Sequence, residues 1–366
     1  MRKFFSPGRV NLIGEHTDYN GGYVFPCAID LGTYAEVTER NDRTVRLSSA
    51  NFHLAVDVDL ENVVYDEADG WANYPKGVIR ELQQMGLSLG GLDISVSGNV
   101  PNGAGLSSSA SLEVLIAVIF NDVFKLGLSM VELVKISRRA ENNFVGVMCG
   151  IMDQFAVGMG KRDMAVLLNC RTLEYKYAPL ALGEYSLVIA NTNKRRGLLD
   201  SKYNERRTEC GSALSAFQKE LAIKDLCELT ADMFNEYSRL VTDEVILRRA
   251  KHVISENERV KQSVSSLEQN DLLTFGQLLN KSHESLKNDY EVTGLELDVL
   301  AETAQQFDGC LGARMTGAGF GGCTVNIVKT DKIEDFRAFA GEKYGQSTNL
   351  AADFYTVKAS DGAKEL

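Results

Sequence analysis

Residues 7–22 carry an unusual density of hydrogen-bonding side chains among glycines, beside an apolar strand. The polar residues of this segment are Arg9, Asn11, Glu15, His16, Thr17, Asp18 and Asn20. Because carboxylates accept hydrogen bonds from hydroxyl groups while Arg and His donate to them, this segment suits a neutral polyhydroxylated ligand. An exposed turn, in which Asp, Asn and Gly serve only turn chemistry, is the alternative that the residue types leave open.

A second segment, V-P-N-G-A-G-L-S-S-S-A-S over residues 100–111, is a glycine loop that leads from a strand into an apolar helix. Glycines let backbone amides approach an anion, and a helix start adds unpaired N–H groups and the positive end of the dipole. Three consecutive serines exceed what capping needs, so the loop predicts a phosphate cradle, with an ordinary capped turn as the alternative. The sequence contains no Walker A motif and no convincing dinucleotide fingerprint.

A third segment, M-T-G-A-G-F-G-G-C over residues 315–323, places four glycines in six positions between two predicted strands. Such a loop can bring its backbone close to a bound phosphate or to the first segment, or it can be a tight hairpin without a ligand. Two acids, Glu141 and Asp153, stand where apolar segments meet glycine turns. Phosphoryl transfer needs oxygen ligands for Mg²⁺ and one carboxylate to orient or deprotonate the acceptor, and these acids could supply both.

Composition excludes several other classes of protein. The chain of 366 residues has a formal net charge of −11, which argues against binding nucleic acid or an anionic membrane over a broad surface. Seven scattered cysteines without a C-x-x-C pair indicate neither a disulfide framework nor a structural zinc site. The longest apolar run, residues 114–120, is far shorter than the roughly 20 residues that cross a bilayer, so we expect a cytoplasmic protein.

The pattern of elements predicts an α+β fold. Short strands dominate the first 100 residues, and a helix buried on nearly all sides follows Ser107. Ser129 and Glu132 form the capping box of the next helix. The composition becomes rich in charged, helix-favouring residues near residue 190, which predicts two domains, 1–190 and 191–366. Residues 358–366 are predicted to be a frayed polar tail.

Taken together, the three segments resemble the galactokinase family of the GHMP superfamily of sugar and metabolite kinases. They occur in the family's order, and G-R-V-N-L-I-G-E-H-T-D-Y-N-G-G at residues 8–22 is similar to the signature of that branch. The resemblance implies an N-terminal domain like the second domain of ribosomal protein S5 and a ferredoxin-like C-terminal domain, with the active site in the cleft between them. It also implies transfer of the γ-phosphoryl group of ATP to the anomeric hydroxyl of α-D-galactose.

The same resemblance implies a role for each matching residue. Asp153, in G-I-M-D-Q, would be the catalytic carboxylate, and Arg9 would lie beside it and stabilise charge on the transferring phosphoryl group. The residues that would bind sugar hydroxyls are Glu15, His16, Thr17, Asp18 and Tyr203. Those that would wrap the phosphates of ATP are Gly103, Ala104, Gly105, Leu106, Ser107, Ser108 and Ser109. Ser109 and Glu141 would ligate Mg²⁺, and Trp71 with Tyr74 would pack against adenine.

Other functions are compatible with these residues. A non-catalytic regulator that binds galactose and ATP could use the same fold, although the complete serine loop and Asp153 favour an enzyme. N-acetylgalactosamine and L-arabinose are the rival acceptors, because the sequence does not show the size of the sugar pocket. A dehydrogenase built on the glycine loops is a third reading. The expected partners are galactose and Mg-ATP, with no nucleic acid or membrane and no indicated protein partner.

Overall fold

The computed structural model describes residues 1–101, 104–194 and 199–366. The strands are β1 (Arg2–Asn11), β2 (Tyr23–Val24), β3 (Pro26–Glu39), β4 (Thr44–Ser49), β5 (Val56–Asp59), β6 (Leu92–Gly98), β7 (Met164–Asn169), β8 (Tyr175–Pro179), β9 (Tyr185–Asn191), β10 (Cys310–Thr316), β11 (Cys323–Lys329), β12 (Asp353–Val357) and β13 (Lys364–Glu365). The helices are α1 (Asn73–Gln84), α2 (Ser108–Val123), α3 (Met130–Arg139), α4 (Met152–Met159), α5 (Leu199–Phe217), α6 (Ala231–Tyr237), α7 (Glu244–Glu268), α8 (Leu272–Ser285), α9 (Leu295–Gln305) and α10 (Ile333–Thr348). The predicted α+β fold is confirmed.

The N-terminal half is built on a six-stranded sheet with the order β13-β1-β3-β6-β4-β5. All its neighbouring strands are antiparallel except β4 and β6. Every residue of helix α2 from Ala110 to Phe120 is buried except Leu112, as the apolar sequence of this helix predicts. The capping box of α3 is confirmed, because Ser129 accepts from the amide of Glu132 and Glu132 accepts from that of Ser129.

The C-terminal half is built on a four-stranded antiparallel sheet with the order β10-β11-β9-β12. A third, three-stranded sheet contains β2, β7 and β8. Strand β9 begins at Tyr185 and pairs along its length with β11, so the sheet of the C-terminal half begins before the predicted boundary. The division into 1–190 and 191–366 stays a prediction.

One apolar cluster joins the two halves. It contains Val10 and Leu12 from β1 and the turn after it, Ile189 from β9, and Val260 from α7. Because these side chains come from both sheets and from a C-terminal helix, burial of apolar surface holds the end of β1 against the C-terminal half. The loop that follows β1 therefore starts from a rigid position between the two halves.

The chain end is ordered, so the prediction of a frayed tail is wrong. Strand β13 pairs with β1 at Phe4 and Phe5, and Ala359 forms an isolated bridge with Ile29. Ala363 is only 5% exposed. The polar composition of this segment does not reveal that it is ordered. The order comes from pairing with strand β1, about 360 residues earlier in the chain. In the described part of the chain, no helix combines the length and apolar character needed to cross a membrane.

Removal of residues 359–366 is expected to lower the free energy of unfolding by about 3 kcal/mol, measured by urea denaturation. The deletion removes the backbone hydrogen bonds that Ser360, Gly362, Ala363 and Leu366 donate to the N-terminal half. As a control, Glu365→Gln, which removes only the exposed ion pair with Arg2, should leave the transition midpoint unchanged. An unfolding curve of the truncated chain that overlays that of the full chain would refute the structural role of this segment.

Candidate functional site

A cavity of about 260 Å³ lies where the loop after β1, the turn before α4 and the loop after β10 meet. Its wall also includes residues of α5. The polar residues and loop residues of this wall that bear on function are Arg9, Glu15, His16, Asp18, Glu141, Cys149, Gly150, Asp153, Tyr203, Gly317 and Ala318. The structure therefore brings seven of the predicted site residues to one cavity, although they come from positions 9 to 203 of the chain.

Arg9 and Asp153 form a bidentate ion pair at the cavity wall. The Nε of Arg9 donates to Oδ1 of Asp153 at 3.0 Å, and its Nη2 donates to Oδ2 at 2.9 Å. Ser107 donates its hydroxyl to the same carboxylate at 2.5 Å. The Arg9 side chain is 5% exposed whereas that of Asp153 is 30% exposed, so Asp153 remains accessible from the cavity. Three donors fix its direction, and it lies in the first turn of α4.

The phosphate loop is tied to this pair. Nη1 of Arg9 donates to the carbonyl of Gly105 at 2.6 Å, and the amide of Arg9 donates to the carbonyl of Leu106 at 3.1 Å. The side chains of Ala104 and Leu106 are buried in the core, which leaves their backbone as the part able to meet a phosphate. Ser107 is not a side-chain cap of α2, because its hydroxyl bonds Asp153. Gly103 lies outside the described residues, so its predicted role stays a prediction.

A second cavity, of about 210 Å³, lies beside the serine part of this loop. Ser108 and Ser109 contribute to its wall, as do the aromatic rings of Phe52, Trp71 and Tyr74. The rings of Phe52 and Trp71 are stacked at 20° with their centres 6.4 Å apart. A flat aromatic wall beside a glycine loop has the shape and chemistry to hold a purine base next to its phosphates.

Glu15 is buried at the junction of the first and third segments. Its Oε1 accepts from Nη2 of Arg314 at 2.8 Å and from the amide of Gly317 at 2.8 Å. The hydroxyl of Thr316 is 3.2 Å from the same oxygen. One oxygen of Glu15 thus serves the protein itself, and the carboxylate still contributes to the cavity wall. Gly317 adopts φ +89°, a conformation that favours glycine and lets its amide reach Glu15.

His16 is a buried, neutral donor or acceptor at the cavity. Burial lowers its pKa to about 3. Its Nδ1 is 2.9 Å from the hydroxyl of Tyr19, which in turn is 2.7 Å from that of Tyr290. Its Nε2 is fully buried, and the neighbouring backbone of Ala318 raises the pKa against the effect of burial. The ring of Tyr203 lies 5.8 Å from that of His16 and completes an aromatic wall.

Asp18 faces the same cavity and resists ionisation. Burial, together with the nearby charges of Asp153 and Glu15, raises its pKa to about 6. The close approach of Asp18 also explains Gly150, because a Cβ at that position would lie 1.8 Å from Oδ2 of Asp18. The carboxylate is therefore pressed against the turn before α4, where its oxygens can accept from a ligand.

Thr17 is not among the residues that line the cavity, and its predicted contact with the ligand stays a prediction. Its side chain is fully buried, and its hydroxyl lies 2.9 Å from the carbonyl of Gly14 and 2.7 Å from that of Tyr23. The hydroxyl is used to close the loop between β1 and β2. In the sequence, Thr17 stands among residue types that often bind ligands. The sequence alone does not show that the turn of the chain at this point directs the Thr17 hydroxyl to the carbonyls of Gly14 and Tyr23.

Glu141 lies between the two cavities in a cluster of buried polar side chains. Nε2 of Gln154 donates to Oε2 of Glu141 at 2.6 Å and to Oε2 of Glu113 at 3.1 Å. Burial raises the pKa of both acids, and in Glu113 the neighbouring charge of Glu141 raises it further. A hydrogen bond from Ser109 lowers the pKa of Glu141. No Lys or Arg among the described residues pairs with either acid, so this cluster of hard oxygen ligands would be stabilised by a cation such as Mg²⁺.

Sequence reasoning missed Glu113, Gln154 and Arg314. Glu113 had a readable signal, because it is the one acid within the apolar stretch 110–120 of helix α2. Gln154 directly follows Asp153 in the G-I-M-D-Q motif, so the sequence also carried a signal for this residue. Arg314 had none, because a single arginine in a strand does not reveal which loop it contacts.

Comparison with family descriptions now gives the class of protein. Residues 73–161 match the family described as GHMP kinases N terminal domain, and residues 263–346 match GHMP kinases C terminal. Residues 2–39 match the galactokinase galactose-binding signature. These matches define a GHMP kinase. A mevalonate kinase from Methanococcus jannaschii, 18% identical and covering 98% of each chain, shares the fold with a TM-score of 0.69.

Full-length relatives narrow the class to one family. A galactokinase from Fusobacterium nucleatum is 55% identical over 100% of this chain and 95% of its own length, and one from Lactiplantibacillus plantarum is 54% identical over the same shares. The crystal structure of Lactococcus lactis galactokinase complexed with galactose is 46% identical, covers 100% of this chain and 95% of its own, and superposes with a TM-score of 0.97. The chain belongs to the galactokinase family.

Asp18→Asn is expected to stabilise the folded protein at pH 8 by on the order of 2–3 kcal/mol. A carboxyl whose pKa is raised by folding to about 6 binds a proton more tightly in the folded state, so its penalty grows as the pH rises from about 4 to 6. The gain should therefore shrink to roughly half at pH 5. Urea denaturation at both pH values measures the free energy of unfolding of each protein. A substitution that leaves this free energy unchanged at pH 8, or lowers it, would contradict the assigned environment of Asp18.

Proposed function

We propose that this chain transfers the γ-phosphoryl group of ATP to the anomeric hydroxyl of α-D-galactose, giving α-D-galactose 1-phosphate and ADP. The observation that carries the proposal is the Arg9–Asp153 pair, which lies at the wall of the polar cavity and is bonded to the phosphate loop through Ser107 and Gly105. A sugar hydroxyl and a terminal phosphate would therefore meet at one carboxylate. Full-length similarity to galactokinases supports galactose as the acceptor.

The sugar would be held by acceptors and donors that the structure leaves facing the cavity. Asp18 and Glu15 would accept from sugar hydroxyls, and the ring of His16, which also lines the cavity, would contact the sugar. Tyr203, whose ring lies beside that of His16, would pack against the sugar ring. A sugar hydroxyl replaces water at each of these groups, so loss of one partner leaves a polar group without a hydrogen bond.

Asp153 is the residue placed to handle the reacting hydroxyl. It would accept the proton as the anomeric oxygen bonds to the γ-phosphorus, while the bond from that phosphorus to the bridging oxygen of ADP breaks. Arg9 would offset the negative charge of the transferring group, since its guanidinium lies within hydrogen-bonding distance of both Asp153 and Gly105. A loose transition state needs little activation of the nucleophile, so orientation of the hydroxyl is a large part of this role.

The nucleotide would occupy the second cavity and the glycine loop. Phe52, Trp71 and Tyr74 would face the base, while the backbone of residues 104–107 and the hydroxyls of Ser108 and Ser109 would meet the phosphates. Ser109 and Glu141 fit a Mg²⁺ ion by the oxygen chemistry of their cluster. A bound Mg²⁺ would neutralise charge on the phosphates.

We also propose a cytoplasmic location. All seven cysteines lie within the described residues and are free, which is typical of proteins from a reducing compartment where ATP is available. Galactose and Mg-ATP are the partners that the site accommodates. The net charge of −11 gives no support for nucleic-acid binding.

Coupled ADP release with Mg-ATP tests the function. The acceptors are galactose, N-acetylgalactosamine, L-arabinose, glucose, mevalonate and homoserine, each supplied separately. Turnover selective for galactose is expected. If the protein phosphorylates a different acceptor and not galactose, that acceptor is the substrate and the proposal of galactose is refuted. Saturable galactose binding by calorimetry without turnover would instead favour the non-catalytic regulator.

Asp153→Asn is expected to lower kcat by roughly 10²–10⁴-fold while galactose and ADP still bind, because the amide keeps the shape but cannot accept the proton. Steady-state kinetics and calorimetry measure the two effects. Asp163→Asn is the matched control, since Asp163 is exposed and lies away from both cavities with φ +59°, which Asn tolerates. Turnover of Asp153→Asn equal to that of Asp163→Asn would remove Asp153 from the catalytic role.

A further inference from the structure

The backbone of the loop between β1 and β2 is held from outside by helix α7. Oε1 of Glu256 accepts from the amide of Gly14 at 3.0 Å and lies 3.4 Å from the amide nitrogen of Glu15. Both loop residues belong to the N-terminal half, whereas Glu256 lies in the middle of α7. One carboxylate of the C-terminal half thus binds consecutive amides of the loop that presents Glu15 and His16 to the cavity.

The Glu256 carboxylate is itself fixed on every side. The hydroxyl of Ser282, on α8, donates to Oε1 at 2.7 Å, and Nε of Arg259 donates to Oε2 at 2.7 Å. Glu256 is fully buried. Burial raises its pKa, but the charges of Arg259 and Arg314 outweigh this effect and bring the pKa to about 2. The carboxylate is therefore a permanent anion, and hydrogen bonds from backbone amides to an anion are about twice as strong as neutral ones.

Helix α7 also binds the other side of the same peptide segment. Nε2 of His252 lies 3.2 Å from the carbonyl oxygen of Glu15, and its Nδ1 lies 2.9 Å from the hydroxyl of Ser285. Burial lowers the pKa of His252 to about 4, so the ring is neutral and donates one proton. Glu15 thus has both its amide and its carbonyl bonded to α7, which fixes the direction of its side chain.

The fit of the loop onto α7 leaves no room for adjustment at Gly14. Gly14 adopts φ +100°, and a Cβ there would lie 2.9 Å from Cγ2 of Val260 and 2.8 Å from the carbonyl oxygen of Tyr23. Farther along, Oδ1 of Asn257 accepts from the amide of Tyr23 at 2.8 Å. Contacts one turn apart on α7 therefore hold both ends of the loop.

We propose that Glu256 is a positioning residue for sugar binding, which sets Glu15 and His16 in the orientation that galactose requires. Glu256 is not part of the cavity wall, so it acts through the amides of Gly14 and Glu15. This inference rests on the proposed function, because it assigns the cavity to the sugar. Its consequence is that sugar affinity depends on the contact between the loop and α7, while nucleotide affinity does not.

Calorimetric binding of galactose and of Mg-ADP to Glu256→Gln tests the proposal. Glutamine keeps an oxygen for Gly14 but turns an amide donor toward Arg259, which must shift the side chain. The galactose Kd is expected to rise by about 10-fold or more, on the scale of one charge-assisted hydrogen bond. The Mg-ADP Kd should stay within about 2-fold and kcat at saturating galactose within about 3-fold, since neither depends on this hydrogen bond.

Glu291→Gln is the matched control. The Glu291 carboxylate pairs with Arg248 and Arg249 of α7 and with no residue of the loop between β1 and β2, so its loss perturbs α7 without removing a bond to Gly14. The control should keep the galactose Kd of the unmodified chain. A galactose Kd of Glu256→Gln equal to that of the control, or equal losses of galactose and Mg-ADP affinity, would overturn the positioning role.

Ser282→Ala keeps the test available should Glu256→Gln fail to fold. This change removes one donor from the Glu256 carboxylate and leaves the charge paired with Arg259. It is expected to raise the galactose Kd by about 2- to 5-fold without changing the Mg-ADP Kd. An unchanged galactose Kd would again contradict the proposal. Absence of galactose binding by the unmodified chain, in contrast, would refute the proposed function itself.

Discussion

The buried Arg314 side chain is the interaction on which the site depends. Its guanidinium is fully buried and donates to the carbonyls of Asn11, Leu12 and Met315 and to the carboxylate of Glu15. Taking both charges out of water is costly, and removal of one partner would leave the other uncompensated. The arrangement is specific, because each of the three guanidinium nitrogens of Arg314 donates to an acceptor in the first or third segment. Strand β10 and the end of β1 can dock in only one register.

This docking explains how one strand serves both substrates. Strand β1 ends in the loop that carries Glu15, and two residues before that end it carries Arg9, which bonds the phosphate loop and Asp153. The loop after β10 closes the arrangement through the amide of Gly317 on Glu15. A displacement of β1 against β10 would therefore move the side chains proposed to bind the sugar and the carboxylate proposed to react together. Electrostatic stabilisation and orientation of the hydroxyl both require such a fixed frame.

Local sequence patterns predicted several elements around the site but not the long-range contacts that hold these elements together. The capping box at Ser129 and the apolar helix α2 were readable, because each depends on neighbours within one or two turns. Strand β1 is hard to predict from the sequence, since Pro7 and Gly8 interrupt it and the register shifts there. Short α4 was missed because eight residues carry little periodicity. The contacts of Arg314 and Glu256 span more than 200 positions and leave no local trace.

Galactose binding to Arg314→Lys, measured by calorimetry together with Mg-ADP binding, tests most directly that this buried arginine assembles the sugar site. Lysine keeps the positive charge beside Glu15 but lacks the planar group that reaches several acceptors at once. The account predicts a galactose Kd raised by about 10- to 100-fold and a Mg-ADP Kd within about 2-fold of that of the unmodified chain. A galactose Kd unchanged in a folded Arg314→Lys protein would contradict it.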